Sequence, residues 1–237
     1  MVGLARTGPL LLGHRGCRLP GFRENSIPAF HHAVQSGCDG FEFDVRLTAD
    51  QKAVCHHDSG LGKLIIEHST YEQLLKHDLN SIATSETALP CLPDVLADFQ
   101  DGAFLDIELK VSGLEAHTLR AIRQYPPQRG YVISSFLPGV VQALAELAPN
   151  ELGEPAVLGL IFDNAKALDV WPALPVSWVV PRHNLVSQEL IDAVHSAGRK
   201  LMTWTVNRPG DMLRFAEWGV DAMVSDDPAL LCRTVRG

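Results

Sequence analysis

The sequence predicts a single (β/α)8 barrel of the TIM type, with a small insertion after its second strand. Three observations predict it. Eight short apolar runs alternate with helical patterns over 237 residues, close to the ~250 residues usual for that barrel. The runs are apolar without strict alternation, as strands buried on both faces should be. No GxGxxG or GxxxxGK[ST] loop follows the first run, which the rival doubly wound sheet would carry.

The strand runs lie at residues 10–12, 40–45, 104–109, 131–134, 157–161, 176–180, 200–205 and 222–224. Between them, residues 26–35 carry Ile27, Phe30 and Val34 at helical spacing, with Asn25 or Ser26 as N-cap and Gly37 as the stop. A helix over 114–124 follows Ser112-Gly113 and ends before Pro126-Pro127. One over 138–147 begins on a proline and should stop before Pro149. Residues 187–197 place Leu190, Ile191 and Val194 on one face behind Ser187, and 209–218 and 228–235 repeat the pattern. Residues 163–171 give the weakest helical pattern of the set.

One connection is too long for a simple strand–helix loop. Residues 58–92 read as an insertion holding a short helix at 70–76, with Thr70 and Gln73 spaced as a capping box. A helix over 92–99 follows. In a barrel such an insertion sits over the catalytic rim. No composition shift or linker marks a second domain, so residues 1–237 read as one domain.

The net charge of −8 argues against nucleic acid or an anionic membrane as partner. No run approaches the ~18–20 apolar residues of a membrane span, and the three-leucine run near the N-terminus is too short for a signal peptide. The expectation is a cytoplasmic protein without stable membrane insertion, acting on a small molecule. The five cysteines are odd in number and form no CxxC pair, which argues against a disulfide framework or a zinc site. Cys17 and Cys55 beside the histidine motifs read as small apolar fillers.

The polar residues fall at the strand ends. Glu42 and Asp44 stand in GFEFDVR and Glu108 in AFLDIELK. Glu42 and Asp44 are two apart and so share one face of a strand, which Glu108 can meet from the next. Buried unpaired carboxylates are costly. A divalent cation with oxygen ligands, Mg2+ or Ca2+, compensates them; a salt-bridge network with Arg46 or Lys110 would leave surplus negative charge. His14 ends the first run and His57 follows the second, as candidate general acid and base. His57 is preferred over His56 because Asp58 follows it. Arg15 and Lys110 supply positive charge for a phosphate, and Trp204 an aromatic wall for the substrate. Glu24, Asn25 and Asp58 are candidate supports around that set.

On these residues the chain resembles the glycerophosphodiester phosphodiesterase family. The resemblance rests on LLGHRGCRLPGFRENSIPAF, GFEFDVRLTADQKAVCHHD, DIELK, VISSF, and WTVN followed by GVDAMVSDDP, in the family's order. It implies a (β/α)8 barrel that hydrolyses glycerophosphodiesters to glycerol 3-phosphate and an alcohol. Glu42, Asp44 and Glu108 would be the metal ligands, His14 and His57 the acid–base pair, Arg15 and Lys110 the phosphate contacts, and Trp204 the substrate-lining aromatic. In the mechanism proposed for such enzymes, a glycerol hydroxyl attacks phosphorus and water opens the cyclic phosphate. After HD, this chain runs SGLGKLIIEHSTYEQL where relatives carry threonine and arginine, which leaves the alcohol-side subsite open. A phospholipase D-type activity on lysophospholipid or sphingolipid fits the same barrel, with residues 61–66 as a candidate apolar docking segment. A non-catalytic binding barrel is the reading from a different class.

Overall fold

The computed structural model describes residues 8–79 and 88–237. Its barrel is closed by eight parallel strands: β1 (Leu10–Gly13), β2 (Gly40–Leu47), β6 (Phe104–Leu109), β7 (Tyr131–Ser135), β8 (Leu158–Phe162), β9 (Trp178–Pro181), β10 (Lys200–Thr203) and β11 (Ala222–Ser225). Closure comes from β1, which pairs with β11 on one side and β2 on the other. A ninth strand, β3 (Ala53–Cys55), runs antiparallel beside the far end of β2.

Alternation divides each strand between two cores. The outward residues of β2 and β6, Phe41, Phe43, Val45, Leu105, Ile107 and Leu109, join the large core beneath the helices. Inside the barrel, Leu12, Phe104, Val132, Trp178, Met202 and Ala222 form a smaller cluster. The inward positions toward the C-terminal ends of β2 and β6 are filled by acids instead.

The helices are α1 (Ile27–Gln35), α2 (Tyr71–Leu79), α3 (Leu92–Phe99), α4 (Glu115–Gln124), α5 (Pro138–Leu152), α6 (Gln188–Ser196), α7 (Pro209–Trp218) and α8 (Pro228–Arg236). Ser26 caps α1 by accepting from the Ala29 amide, and Ser187 caps α6 from Leu190. Thr70 and Gln73 make the reciprocal bonds of a capping box at the start of α2.

Two helical expectations are corrected. The helix expected to stop before Pro149 runs through it to Leu152 and ends on Gly153 in the left-handed conformation. Pro149 is exposed, so water can take the carbonyl bond that its missing N–H leaves. The segment 163–171 forms two 3-10 turns, Ala165–Asp169 and Trp171–Ala173. Pro172, in the second turn, removes an amide donor there and bars a continuous helix. Among the described residues no helix is long and apolar enough to cross a membrane.

The long connection after β2 contains β3, a hairpin of β4 (Gly60–Leu61) and β5 (Leu64–Ile65), a 3-10 turn and α2. Residues 80–87 of the expected insertion lie outside the described residues. Val54, Ile66, Leu74 and Leu89 give this segment its own small core. It is tied to the loop after β1 by Arg23, which reaches the buried Asp78 at 2.7 Å.

That loop depends on Gly16. Its φ is +78°, and a Cβ there would stand 2.6 Å from the Ala29 backbone carbon. Glycine therefore lets residues 14–16 lie against the first turn of α1. Gly16→Ala should cost about 2–4 kcal/mol, read as a lower denaturant midpoint with an unchanged slope in urea unfolding.

Candidate active site

The parallel register of β2 with β6 sets Glu42 beside Asp106 and Asp44 beside Glu108. All four are buried. One oxygen each from Glu42, Asp44 and Glu108 lies within 4.8 Å of the others. Oxygens that bind one Ca2+ at 2.3–2.6 Å can be no more than about 5 Å apart, so the set fits a single cation. Glu42 Oε1 and Asp44 Oδ1 are buried without a hydrogen-bond donor, although Lys110 Nζ is 3.3 Å from the latter.

Two cations meet the four acids. Lys110 Nζ is 2.5 Å from Glu108 and 3.3 Å from Asp44. Arg15 Nε is 3.1 Å from Asp44, while its Nη1 donates to Glu24 at 2.7 Å. With all four acids ionised, two negative charges remain unmatched, the charge of one divalent ion. Arg46 is elsewhere: it donates to Glu67 and to the His57 carbonyl.

The charges shift one another. Burial pushes the Glu42 carboxyl well above the usual range, and Asp44, Glu108 and Asp106 push it further. Burial would raise Asp44 too, but Lys110, Arg15 and the Asn25 hydrogen bond outweigh it and hold it low. Burial, with Asp44 adding, raises Glu108 to about 7 against the pull of Lys110. Asp106 is likewise raised to about 7 by burial, against its hydrogen bond from Ser134.

The loop after β1 carries the second layer. Arg15 and Asn25 both have positive φ, +50° and +54°, and are joined by the Asn25 amide donating to the Arg15 carbonyl. Such conformations are uncommon outside glycine and cost about 1–3 kcal/mol each. They let Asn25 grip Asp44 twice, its Nδ2 donating to the carboxylate and its Oδ1 accepting from the backbone amide. The Arg15 amide donates to Glu42 at 2.9 Å. Glu24 holds Arg15 and also accepts from Arg18.

His14 lies between two carboxylates. Its Nδ1 is 2.6 Å from Asp226 Oδ1 and its Nε2 3.8 Å from Glu42. Asp226 accepts in turn from Asn207. Burial would raise the Asp226 carboxyl, but the His14 and Asn207 hydrogen bonds and Arg18 keep it low. An ionised Asp226 makes Nδ1 the donor and turns Nε2 toward the acids. His57 Nδ1 is likewise taken by Asp58 at 2.7 Å. Burial lowers His57, with Asp44 opposing and Lys110 adding. His56 bonds instead to the Gly60 carbonyl.

These residues line one cavity of about 80 Å³, with His14, Arg15, Glu42, His57, Asp106, Glu108 and Lys110 on its polar side. Phe136, Ile161, Val180, Trp204 and Val224 close its apolar side. Trp204 donates its indole N–H to the Val180 carbonyl and meets Phe136 edge-on. Of the residues singled out as metal-ligating, acid–base, phosphate-binding or substrate-lining, all but Asp44 line this cavity, and Asp44 lies behind its wall against Arg15 and Lys110. Glu24, Asn25 and Asp58 each contact one of them.

Two functional residues escaped the sequence reading. Asp106 is two residues before Glu108, so the same-face rule that joined Glu42 to Asp44 also points to it. Asp226 was legible only as a polar strand end, because its bond to His14 spans 212 positions.

The sequence model of the Glycerophosphoryl diester phosphodiesterase family matches residues 14–230. The chain is 31% identical to a glycerophosphodiester phosphodiesterase of Caldanaerobacter subterraneus, over 96% of this chain and 98% of that protein. It is 28% identical to one of Bacillus altitudinis, over 92% and 94%. Its fold superposes with TM-score 0.80 on a glycerophosphodiester phosphodiesterase of Agrobacterium tumefaciens, at 22% identity over 97% of this chain and 100% of that one. An Oleispira antarctica phosphodiesterase in complex with the product sn-glycerol-3-phosphate is similar at TM-score 0.77 and 21% identity, over 97% and 98%.

The raised carboxyls set the sign of a pH effect. A carboxyl whose folded pKa lies above its unfolded value stabilises the fold only while protonated, so stability is lost as pH rises between the two values. For Glu108 and Asp106 that window runs from the usual carboxylate value of about 4 to about 7. In chelator, the melting temperature should be lower at pH 8 than at pH 5.5. Asp106→Asn should raise it by about 5 °C or more at pH 8 and by much less at pH 5. Differential scanning fluorimetry reads both.

Proposed function

The chain belongs to the glycerophosphoryl diester phosphodiesterase family and is a phosphoric diester hydrolase; from that premise, we propose that it cleaves glycerophosphodiesters into glycerol 3-phosphate and an alcohol, with His14 and His57 as its acid–base pair. The observation that carries this reading is the convergence of two oriented imidazoles, two cations and a surplus of buried carboxylate charge on one cavity. The same product is named for the Oleispira antarctica relative.

Glu42, Asp44 and Glu108 would hold one divalent cation, Mg2+ or Ca2+. The orphaned, buried oxygens of Glu42 and Asp44 and the unmatched charge of the cluster support that donor set. Bound there, the ion lowers the pKa of a substrate hydroxyl and offsets negative charge on the phosphate.

This chain's own groups account for the remaining steps. Arg15 and Lys110 attract the phosphodiester and neutralise charge as phosphorus becomes five-coordinate. Arg15 keeps its guanidinium aimed because Glu24 and Asp44 hold it from two sides. One imidazole removes the proton of the glycerol 2-hydroxyl, whose oxygen attacks phosphorus. The second imidazole gives its proton to the departing alcohol oxygen, leaving a cyclic phosphate. Water then opens the ring with the two roles exchanged. Asp226 and Asp58 fix the Nδ1 side of each ring, so each Nε2 is the nitrogen left for proton transfer. Trp204 and Phe136 close the apolar side of the cavity against water.

His14→Ala and His57→Ala should each reduce kcat on glycerophosphocholine by roughly 10²–10⁴-fold, and the double substitution by far less than the product of the two. Wild-type turnover in either single variant would refute the acid–base assignment. Asp226→Asn should lower kcat by roughly 10²-fold or more with little change in KM, because the His14 tautomer is no longer imposed. Steady-state kinetics checks both.

A further inference from the structure

Cys38 and Cys232 are 194 residues apart in sequence, yet their sulfurs are 3.4 Å apart and buried. Cys38 is in the turn between α1 and β2, and Cys232 is on α8. A disulfide needs about 2.0 Å between sulfurs, so an approach of about 1.4 Å would join them.

The surrounding contacts already hold the two segments together. Arg236 binds the Asp39 carboxylate and donates to the Gly37 carbonyl. The Cys38 thiol also points toward the Pro228 carbonyl at 3.7 Å. The turn at residues 37–39 and the whole length of α8 are thereby in register before any covalent bond forms. The hydrogen bond shared with Cys232 and burial push the Cys38 thiol up, so at rest this thiol is protonated and slow to react.

We propose that Cys38 and Cys232 form a reversible disulfide site that locks the C-terminal helix to the start of β2 under oxidising conditions. A peroxide serves as the two-electron oxidant. One sulfur, as thiolate, attacks a peroxide oxygen; the O–O bond breaks, one water leaves, and a sulfenic acid forms. The second sulfur attacks the sulfenic sulfur, the S–O bond breaks, and a second water leaves. Two thiols are oxidised and one peroxide is reduced to two waters. The contact between α8 and the turn at residues 37–39 must loosen for the first step, and the tie that follows prevents that loosening.

Neither cysteine lines the catalytic cavity. Cys38 lies before the first residue of β2, on the side of α8, whereas Glu42 and Asp44 stand on the strand itself and face the barrel interior. The consequence is for stability: the bond closes most of the chain into a loop, and the entropy removed from the unfolded state grows with loop length.

The test treats the folded wild-type protein with hydrogen peroxide, alkylates residual thiols, and maps peptides by mass spectrometry without reductant. The expected result is a peptide joining Cys38 to Cys232 that dithiothreitol cleaves. It should be accompanied by a rise in melting temperature of roughly 5–15 °C and unchanged hydrolytic activity. Cys38→Ser should lose both the linkage and the rise, and Cys91→Ser should keep them. The proposal is overturned if Cys38 and Cys232 are both recovered alkylated while the less buried Cys91 oxidises. It is equally overturned if the linkage appears only after unfolding in urea. The peptide map needs no variant to fold, and no outcome depends on the substrate.

Discussion

The pairing of β2 with β6 is the constraint on which everything else rests. Parallel register puts Glu42 level with Asp106 and Asp44 level with Glu108, so backbone hydrogen bonds force four carboxylates onto neighbouring inward positions. A barrel interior normally takes branched aliphatic side chains at such positions, as this one does elsewhere with Leu12 and Val132. The fold therefore carries an electrostatic load at one end of its core, and the surrounding loops are arranged to bear it. Lys110 comes from the end of the same strand as Glu108, and Arg15 and Asn25 from a loop held in left-handed backbone conformations.

That load and the proposed chemistry have one origin. Where Lys110 and Arg15 neutralise Asp44, it stays ionised; where burial dominates, Glu42 and Glu108 retain their protons to unusually high pH. A cation bound by these carboxylates would displace those protons, so ion binding and folding stability would draw on the same groups. The large outer core of Phe41, Phe43, Leu105 and Ile107 offsets the cost from the opposite face of the same strands.

Much of this was legible in the sequence because it depends on local periodicity. Two acids two residues apart share a strand face whatever the fold, and eight apolar runs of strand length admit few architectures. His14, Arg15, His57 and Lys110 were readable because each ends or follows such a run. Asp106 lay within reach of the same rule; the rest of what escaped depended on partners distant in sequence or on the balance of weak local terms. Asp226 acquires its role only when β11 closes beside β1, and the Cys38–Cys232 contact only when α8 packs on the turn before β2. Helix α5 passes through Pro149 because that residue faces solvent, which its local sequence does not encode. The 3-10 turns after β8 replace a helix whose apolar spacing was already the weakest in the chain.

The central claim is that the buried carboxylates exist to hold one divalent cation against the phosphate-binding groups. Isothermal titration of the chelated protein with Mg2+ and with Ca2+ tests it most directly. The account predicts one ion bound per chain, binding lost in Glu42→Gln and Asp44→Asn, and protons released on binding at pH 6. Absence of binding by either ion, or binding that survives both substitutions, would contradict it.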